Sequence, residues 1–572
     1  MKRYHLIIFL FLMILEGVVA ILILQGMVFD PGRGNIINYS DLRWILISSS
    51  SILVLFFVVV QYFIIRPRNF APWICQALDK WLTGSKVRLF FVQGALLILA
   101  VFFFEAFLLT YLAFPVPMRP IFVWASVTFF QIWFILRLAY SATYRKRVSW
   151  IARLRRNWSE WMPIQRKTFI ILSLMALVYF IGFMPSNYLP NEDGNFYTHS
   201  DEAVIYPDVA RVLVIEGSFY DMVKVILEDW PWWYGYPYLT LSAGVLVIPR
   251  LLFGNGFAEN IQLNVFLLRQ FINILPMLLA LMLLVYMVNR YKSLWLSVAL
   301  FGFLVLVPGV IKFNHQFWHP DSLIILLILL TFYFLEKDNL SFKRYFYYAA
   351  VTCGLATAIK LWGVFFVLAI AGYLLAGLWK RKIPFKLALL SGFGFLFAMA
   401  GTIVITSPSL LAPYIRNTAL EGWSTQQNAL LHGYNEPDPT GVYETGLANA
   451  VRFFGFYYMK PFFLGFASIS VVLGSFFGSR KTLNRLILAW SLAAGFFLVN
   501  FAAMKNFVYL MPLMMPLFLG AALFPSLMDG LSLNGKMAFL NHPVTTKIGI
   551  GITLIFFLVQ FVINTIIVFI SQ

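Results

Sequence analysis

Apolar residues gather along this chain into windows about 20 residues long, separated by short polar segments, and that is the length a helix needs to cross a hydrocarbon core of ~30 Å. The windows predict helices near 5–28, 44–66, 87–114, 121–143 and 168–188. After a polar stretch come 264–289, 293–313, 321–336, 345–360, 362–379 and 385–406. A second polar stretch precedes 457–479, 485–503, 507–527 and 547–570. The pattern predicts an all-α polytopic membrane protein with about 15 crossings.

Loop charge orients these spans. Segments 67–86, 144–167, 289–293, 336–344, 380–384 and 480–485 carry Lys and Arg clusters, such as Arg145-Lys146-Arg147 and Lys380-Arg381-Lys382. Positive loops face the cytoplasm, which puts the N-terminus inside and the C-terminus outside. The same rule forbids a full crossing at 236–254, an apolar stretch holding Pro237, Pro249 and Arg250. It is expected as an interfacial or re-entrant helix. Two extracytoplasmic regions then remain, 189–263 and 407–456. Lys2 and Arg3 precede an apolar run too long for a typical signal peptide, so an uncleaved first span is expected.

The expected organisation is a four-span accessory module (1–143), a basic linker (144–167), a core (168–456) and a C-terminal four-span bundle (457–572). Apart from its loops, the first module has almost no polar content. The linker holds Arg153, Arg155 and Arg156 among Trp150, Trp158 and Trp161, a composition suited to the anionic cytoplasmic leaflet.

Composition excludes a soluble globular protein, since 61% of the 572 residues are hydrophobic and 12% are charged, against roughly 25% charged in soluble domains. A net charge of +19 could suggest nucleic acid. The basic residues sit in short loops between spans, however, so no nucleic-acid partner is expected. Two cysteines, Cys75 and Cys353, give neither a disulfide framework nor a Cys-based metal site.

Four polar features fall on the outer side. Asp201-Glu202 heads an amphipathic segment (201–216); the pair can cap a helix, and it can also supply a general base at the membrane surface. Trp318-His319-Pro320-Asp321 opens the span 321–336, near Asn314 and His315. Asp321 can be a cap, while His319 can meet a phosphate oxygen or, with Asp321, a metal. Lys360 lies between two apolar segments in Ala356-Thr357-Ala358-Ile359-Lys360-Leu361-Trp362-Gly363. A lysine there either snorkels at a tight turn or holds an anionic headgroup. Ser407-Pro408-Ser409-Leu410-Leu411 opens the second outer region, followed by Trp423 and Leu431-His432-Gly433-Tyr434. Tyr206 and Arg211, farther along the 201–216 segment, join the candidate substrate-binding residues.

No Walker loop, dinucleotide fingerprint, HExxH or GxSxG occurs. A reaction at the outer face would therefore draw on a substrate already energised and held in the membrane.

In order, the outer Asp-Glu, the His-Pro-Asp, the Ala-Thr-Ala-x-Lys-x-x-Gly and the Ser-Pro-x-Leu-Leu resemble motifs of the GT-C superfamily of membrane glycosyltransferases. The resemblance is to its polyprenyl-phosphate-sugar branch, which includes protein O-mannosyltransferases and the lipid A aminoarabinose transferase, and covers about 168–456. It implies a GT-C-like helical bundle. Asp201 would be the base for the acceptor hydroxyl, with Glu202 its neighbour. Asp321 would lie at the donor end of the cavity and Lys360 would hold the lipid-linked phosphate, helped by His319 or Arg211. Many relatives carry Lys-Pro-Pro where this chain has Tyr234-Gly235-Tyr236-Pro237-Tyr238, so one cation is absent. Residues 1–143 match nothing in that core.

The implied reaction is inverting transfer of a sugar from a polyprenyl-phosphate donor to a hydroxyl of a protein, lipid or glycan. A divalent cation is possible as cofactor, though no convincing ligand set is present. Rival readings are a transporter or flippase of lipid-linked sugars, a ligase-like or polymerase-like transferase of another fold, and a non-catalytic membrane scaffold.

Overall fold

The computed structural model describes residues 81, 86–109, 119–143, 160–191, 194–197, 200–214, 234–407, 445–502, 507–533 and 542–570, with isolated positions between 410 and 431. The spans expected at 5–28 and 44–66, most of the basic linker and most of the Ser-Pro-x-Leu-Leu motif lie outside the described residues. No strand occurs among those described. The chain divides into two compact units, Met1–Ser149 and Trp150–Gln572.

In the first unit, α1 (Lys86–Leu109) and α2 (Arg119–Thr143) pack together. Ser126 Oγ donates to the Ala100 carbonyl (2.7 Å), the Phe103 ring lies 6.2 Å from that of Phe122, and Arg137 reaches Gln93 Oε1 at 3.5 Å. Partners whose numbers rise on one helix as they fall on the other make this an antiparallel hairpin. The expectation of almost no polar content is corrected here, because Gln93, Glu105 and Gln131 are all buried in it.

The second unit opens with α3 (Pro163–Tyr188), α4 (Ser200–Leu213), α5 (Tyr236–Phe253) and α6 (Ile261–Asn289). Next come α7 (Leu294–Val305), α8 (Pro308–Asn314), α9 (Asp321–Asp338), α10 (Arg344–Ile359), α11 (Leu361–Trp379) and α12 (Phe385–Thr406). The chain continues through α13 (Leu447–Tyr457), α14 (Pro461–Phe477), α15 (Lys481–Asn500), α16 (Phe507–Ser532) and α17 (His542–Ile570). Eight helices among the described residues are long and apolar enough to cross a membrane, or ten if the bent pairs α7–α8 (63°) and α13–α14 (102°) each count as one span. The architecture is that of a multi-pass membrane protein. Helix α5 is an unbroken 18-residue helix that meets the same criterion, so length alone does not mark it as non-crossing.

Burial sorts the helices. Helix α16 is almost wholly enclosed and α6 largely so, whereas α3 and α12 leave most of their apolar surface uncovered. Pro512 and Pro516 sit inside α16, tolerated because neighbouring helices can satisfy the backbone groups they free. An aromatic cluster of Phe303, Phe463, Phe518 and Phe557 packs around its middle, with centroids 4.8–6.4 Å apart. The uncovered faces carry large apolar side chains such as Leu251, Trp295, Trp379 and Phe393, as a lipid-facing surface requires.

Three of the basic loops meet at one end of this unit. Glu336 accepts from Arg290 at 2.9 Å and from Arg480 Nε at 2.7 Å, tying 289–293, 336–344 and 480–485 together. Asp338, at the end of α9, accepts from the Phe342 and Lys343 amides and from Tyr373 Oη. The 18 residues of α9 rise about 26 Å from Asp321 to Asp338. The candidate chemistry at the α9 N-terminus is therefore at the end of the helix remote from the basic loops.

Candidate active site

Segment 315–320 connects α8 to α9 and is clamped from two sides. Asn187 donates to the Asn314 carbonyl (3.1 Å) and accepts from the Gln316 amide. Asn273 donates to the Phe313 carbonyl (2.6 Å) and accepts from Ser322 Oγ (2.8 Å). Gln316 takes a positive φ of 50° in the turn. Trp318, fully buried, packs on Tyr238 and donates its backbone N–H to Glu202 Oε1 at 2.8 Å. His319 and Asp321 are thereby fixed from their neighbours outward.

Lys360 ends α10 in extended conformation, and a short 3-10 turn, Leu361–Phe365, follows it. Gly363 is required there, because a Cβ would overlap Thr357 Oγ1 and the Cys353 carbonyl. Trp362 is buried near Trp490, which anchors the turn. On the facing segment, the Gly235 amide donates to the Ile359 carbonyl at 3.0 Å, and a Cβ on Gly235 would overlap the Ala358 carbonyl. This close backbone approach brings Tyr234 beside Lys360, whose Nζ lies 5.8 Å from the Tyr234 ring and 4.4 Å from that of Tyr509.

Helix α4 supplies two carboxylates with different surroundings. Successive helical residues point about 100° apart, and Glu202 turns into the protein while Asp201 keeps contact with solvent. Glu202 is fully buried and paired with Arg269 (2.6 and 3.0 Å). Arg269 also donates to the Asn187 and Phe196 carbonyls. It opens a π-helical turn, Arg269–Ile274, within α6. Such turns occur often at functional sites.

The remaining groups form one line. Tyr234 Oη lies 2.7 Å from Asp201 Oδ2 and 2.6 Å from His319 Nε2. His319 Nδ1 is 2.6 Å from Asp321 Oδ2. Lys360 Nζ follows at 3.2 and 3.4 Å from the two Asp321 oxygens. Exposure falls along the line, from 35% at the Asp201 side chain to 3% at His319 and none at Asp321, with Lys360 at 13%. Burial pushes the His319 imidazole below the usual histidine range, against the opposing pull of Asp321. Burial also holds the Tyr234 phenol well above the usual tyrosine range, helped by the Asp201 charge.

Asp201, His319, Asp321 and Lys360 thus come together, as a single site requires. Glu202 is adjacent but enclosed, with no atom open to a substrate. Tyr206 is buried, donating to the Ala258 carbonyl and accepting from Asn264, which makes it a packing residue of α4. Arg211 is ten residues beyond Asp201, a rise of about 15 Å, and is exposed on α4. Sequence reasoning passed over Tyr234, Arg269 and Tyr509 as site residues. Arg269 had a signal, a charge inside the apolar window 264–289.

No cluster of three or more His, Cys, Asp or Glu suited to a metal occurs among the described residues. His319 Nε2 faces Tyr234 Oη, and Nδ1 lies beside Asp321 Oδ2. No family model matches the chain, and no curated protein matches it.

Proposed function

We propose that this protein is an inverting glycosyltransferase that moves a sugar from a polyprenyl-phosphate donor to an acceptor hydroxyl at the extracytoplasmic membrane face. In this reading the chain crosses the membrane about 15 times, with its N-terminus in the cytoplasm and α5 lying at the interface. The observation that carries it is a carboxylate and a lysine, Asp201 and Lys360, at the two ends of one line of close polar contacts remote from the basic loops.

Asp201 retains the access that a general base needs. Lys360 is braced by Asp321 through one carboxylate, and an ammonium has three donors, so it can also meet the leaving phosphate. In the reaction the acceptor O–H proton passes to Asp201 and the acceptor oxygen bonds the anomeric carbon. The bond from that carbon to the phosphate oxygen breaks, and its electron pair leaves on the polyprenyl phosphate. The lipid would lie along the uncovered apolar helix faces, where each buried CH₂ contributes ~0.8 kcal/mol.

The test uses purified protein in lipid with a panel of labelled polyprenyl-phosphate sugars. The unmodified protein is expected to transfer one of them, Asp201→Asn to lose transfer, and Lys360→Ala to lose donor binding. Undiminished transfer by Asp201→Asn overturns the assignment of the base.

A further inference from the structure

Acidic residues are missing from two long stretches of the sequence. No Asp or Glu occurs between Glu259 and Asp321, nor between Glu444 and Asp529. Helices α8 and α13 fall in these stretches, and each carries one cation, Lys312 and Arg452 respectively. Helices α8, α13 and α16 pack against one another. Tyr458 Oη donates to the Phe507 carbonyl at 2.6 Å, which fixes the corner between α13 and α14 on the first residue of α16.

Both cations are exposed, and both are seated on aromatic rings. Lys312 Nζ lies 5.4 Å from the centre of the Tyr457 ring and 5.2 Å from that of Phe507. Arg452 Cζ lies 5.6 Å from that of Phe453. The rings themselves continue into the candidate site. Phe453 stacks with Tyr457 (6.4 Å), Tyr457 meets Phe507 (5.7 Å), Phe507 meets Phe317 (5.7 Å), and Phe317 stacks on His319 (5.1 Å). One row of rings thus runs from Arg452 past Lys312 to His319. Tyr509, two residues beyond Phe507 on α16, carries Lys360.

A ring face attracts a cation without cancelling its charge. Lys360 is braced by Asp321, whereas among the described residues neither Lys312 nor Arg452 forms an ion pair. Excess Lys and Arg belong to cytoplasmic loops, yet these two lie at the end remote from the basic loops. Uncompensated positive charge beside a site raises the local concentration of anions.

We infer that Lys312, with Arg452 farther along the row of rings, binds a second anionic group of a substrate, a phosphate or carboxylate distinct from the phosphate at Lys360. Only the word substrate rests on the transferase reading. The group has two possible sources: a donor with a diphosphate, or an acceptor bearing its own phosphate or carboxylate.

The experiment follows acylation of Lys312 by an amine-reactive reagent, read residue by residue by mass spectrometry. It uses the purified full chain in neutral phosphatidylcholine. With polyprenyl phosphate already bound, inorganic phosphate is expected to slow acylation of Lys312, which supports the subsite and assigns the anion to the acceptor. Shielding by polyprenyl diphosphate but not by polyprenyl phosphate supports it and assigns the anion to the donor. Shielding by polyprenyl phosphate alone would make Lys312 part of the Lys360 site and overturn a second one. Shielding only when phosphatidylglycerol replaces the neutral lipid would leave a snorkelling cation that meets lipid headgroups, and no shielding by any probe would likewise overturn the subsite.

Arg452→Gln is expected to raise the concentration of probe needed for half-shielding; an unchanged value would overturn the part given to Arg452. In transfer assays, Lys312→Gln should raise KM for the anion-bearing substrate by ~10-fold or more, the contribution of one charge-assisted hydrogen bond, with kcat retained and Lys312→Arg restoring the value. Shielding of Lys312 in a protein that transfers no sugar supports the subsite and overturns the transferase reading. Transfer without shielding does the reverse.

Discussion

Asp201 and Glu202 are neighbours in the chain with opposite fates in the fold, and the difference is measurable. Glu202 is fully buried and its partner Arg269 nearly so, and removing one member of such a pair leaves an uncompensated charge, a loss of ~3–5 kcal/mol. Glu202→Gln is therefore expected to lower the thermal unfolding midpoint sharply. Asp201→Asn should leave that midpoint near the unmodified value while reducing transfer by ~10²-fold or more, the usual contribution of a general base. Equal destabilisation by the two variants would mean that Asp201 is a structural carboxylate. His319 gives a prediction with a definite sign. Its proton affinity in the native state is lowered by burial, so as pH falls below the ordinary histidine range the unfolded chain binds a proton that native His319 resists. Stability from this source is present above that range and lost on acidification. In denaturation series across pH, His319→Gln should flatten the loss.

The helices were legible from apolar periodicity because a lipid-facing or enclosed span needs an uninterrupted apolar run, and the described helices from α3 onward fall at the expected segments with ends displaced by a few residues, except α13, which lies in the stretch expected as the second outer region. Less legible were the breaks. The bend between α7 and α8 and the π-turn in α6 leave no gap in hydrophobicity, so a window reading runs straight through them. The site was legible in part for the same reason. Asp201, His319, Asp321 and Lys360 are polar residues at span ends and declare themselves, whereas Tyr234 reads as one more interfacial aromatic until the fold sets it between Asp201 and His319.

What places Tyr234 is a glycine. The backbone at Gly235 passes so close to the end of α10 that a Cβ would overlap the Ala358 carbonyl, and backbone cannot yield as a flexible side chain can. Gly235→Ala is expected to cost ~1–3 kcal/mol through overpacking. By moving Tyr234 off Lys360 it should also depress transfer more than donor binding. An alanine variant with unaltered stability and activity would show that the approach is looser than the structure has it.

For the molecule as a whole, the separation of the basic end from the Asp201 end along α9 is what a sided membrane enzyme needs, since a polyprenyl-phosphate donor is used where its headgroup emerges. The pairing of Glu336 with Arg290 and Arg480 ties three basic loops to one end, and positive loops remain on the cytoplasmic side. Cysteine accessibility reads this orientation directly. In a background carrying Cys75→Ser and Cys353→Ala, Gly256→Cys occupies an open, exposed position between α5 and α6, and Lys382→Cys an exposed position in the α11–α12 loop. A membrane-impermeant thiol reagent applied to intact cells is expected to label position 256 and to reach position 382 only after permeabilisation. The reverse pattern would put the Asp201 end in the cytoplasm, where the donor would have to arrive from the other leaflet, and would overturn the extracytoplasmic site. Labelling of both positions in intact cells would break the link between loop charge and orientation. In that case α5, a helix whose crossing decides the sidedness of the loops after it, would be the element to probe next, by scanning cysteines from Leu241 to Leu252 for a face shielded by lipid.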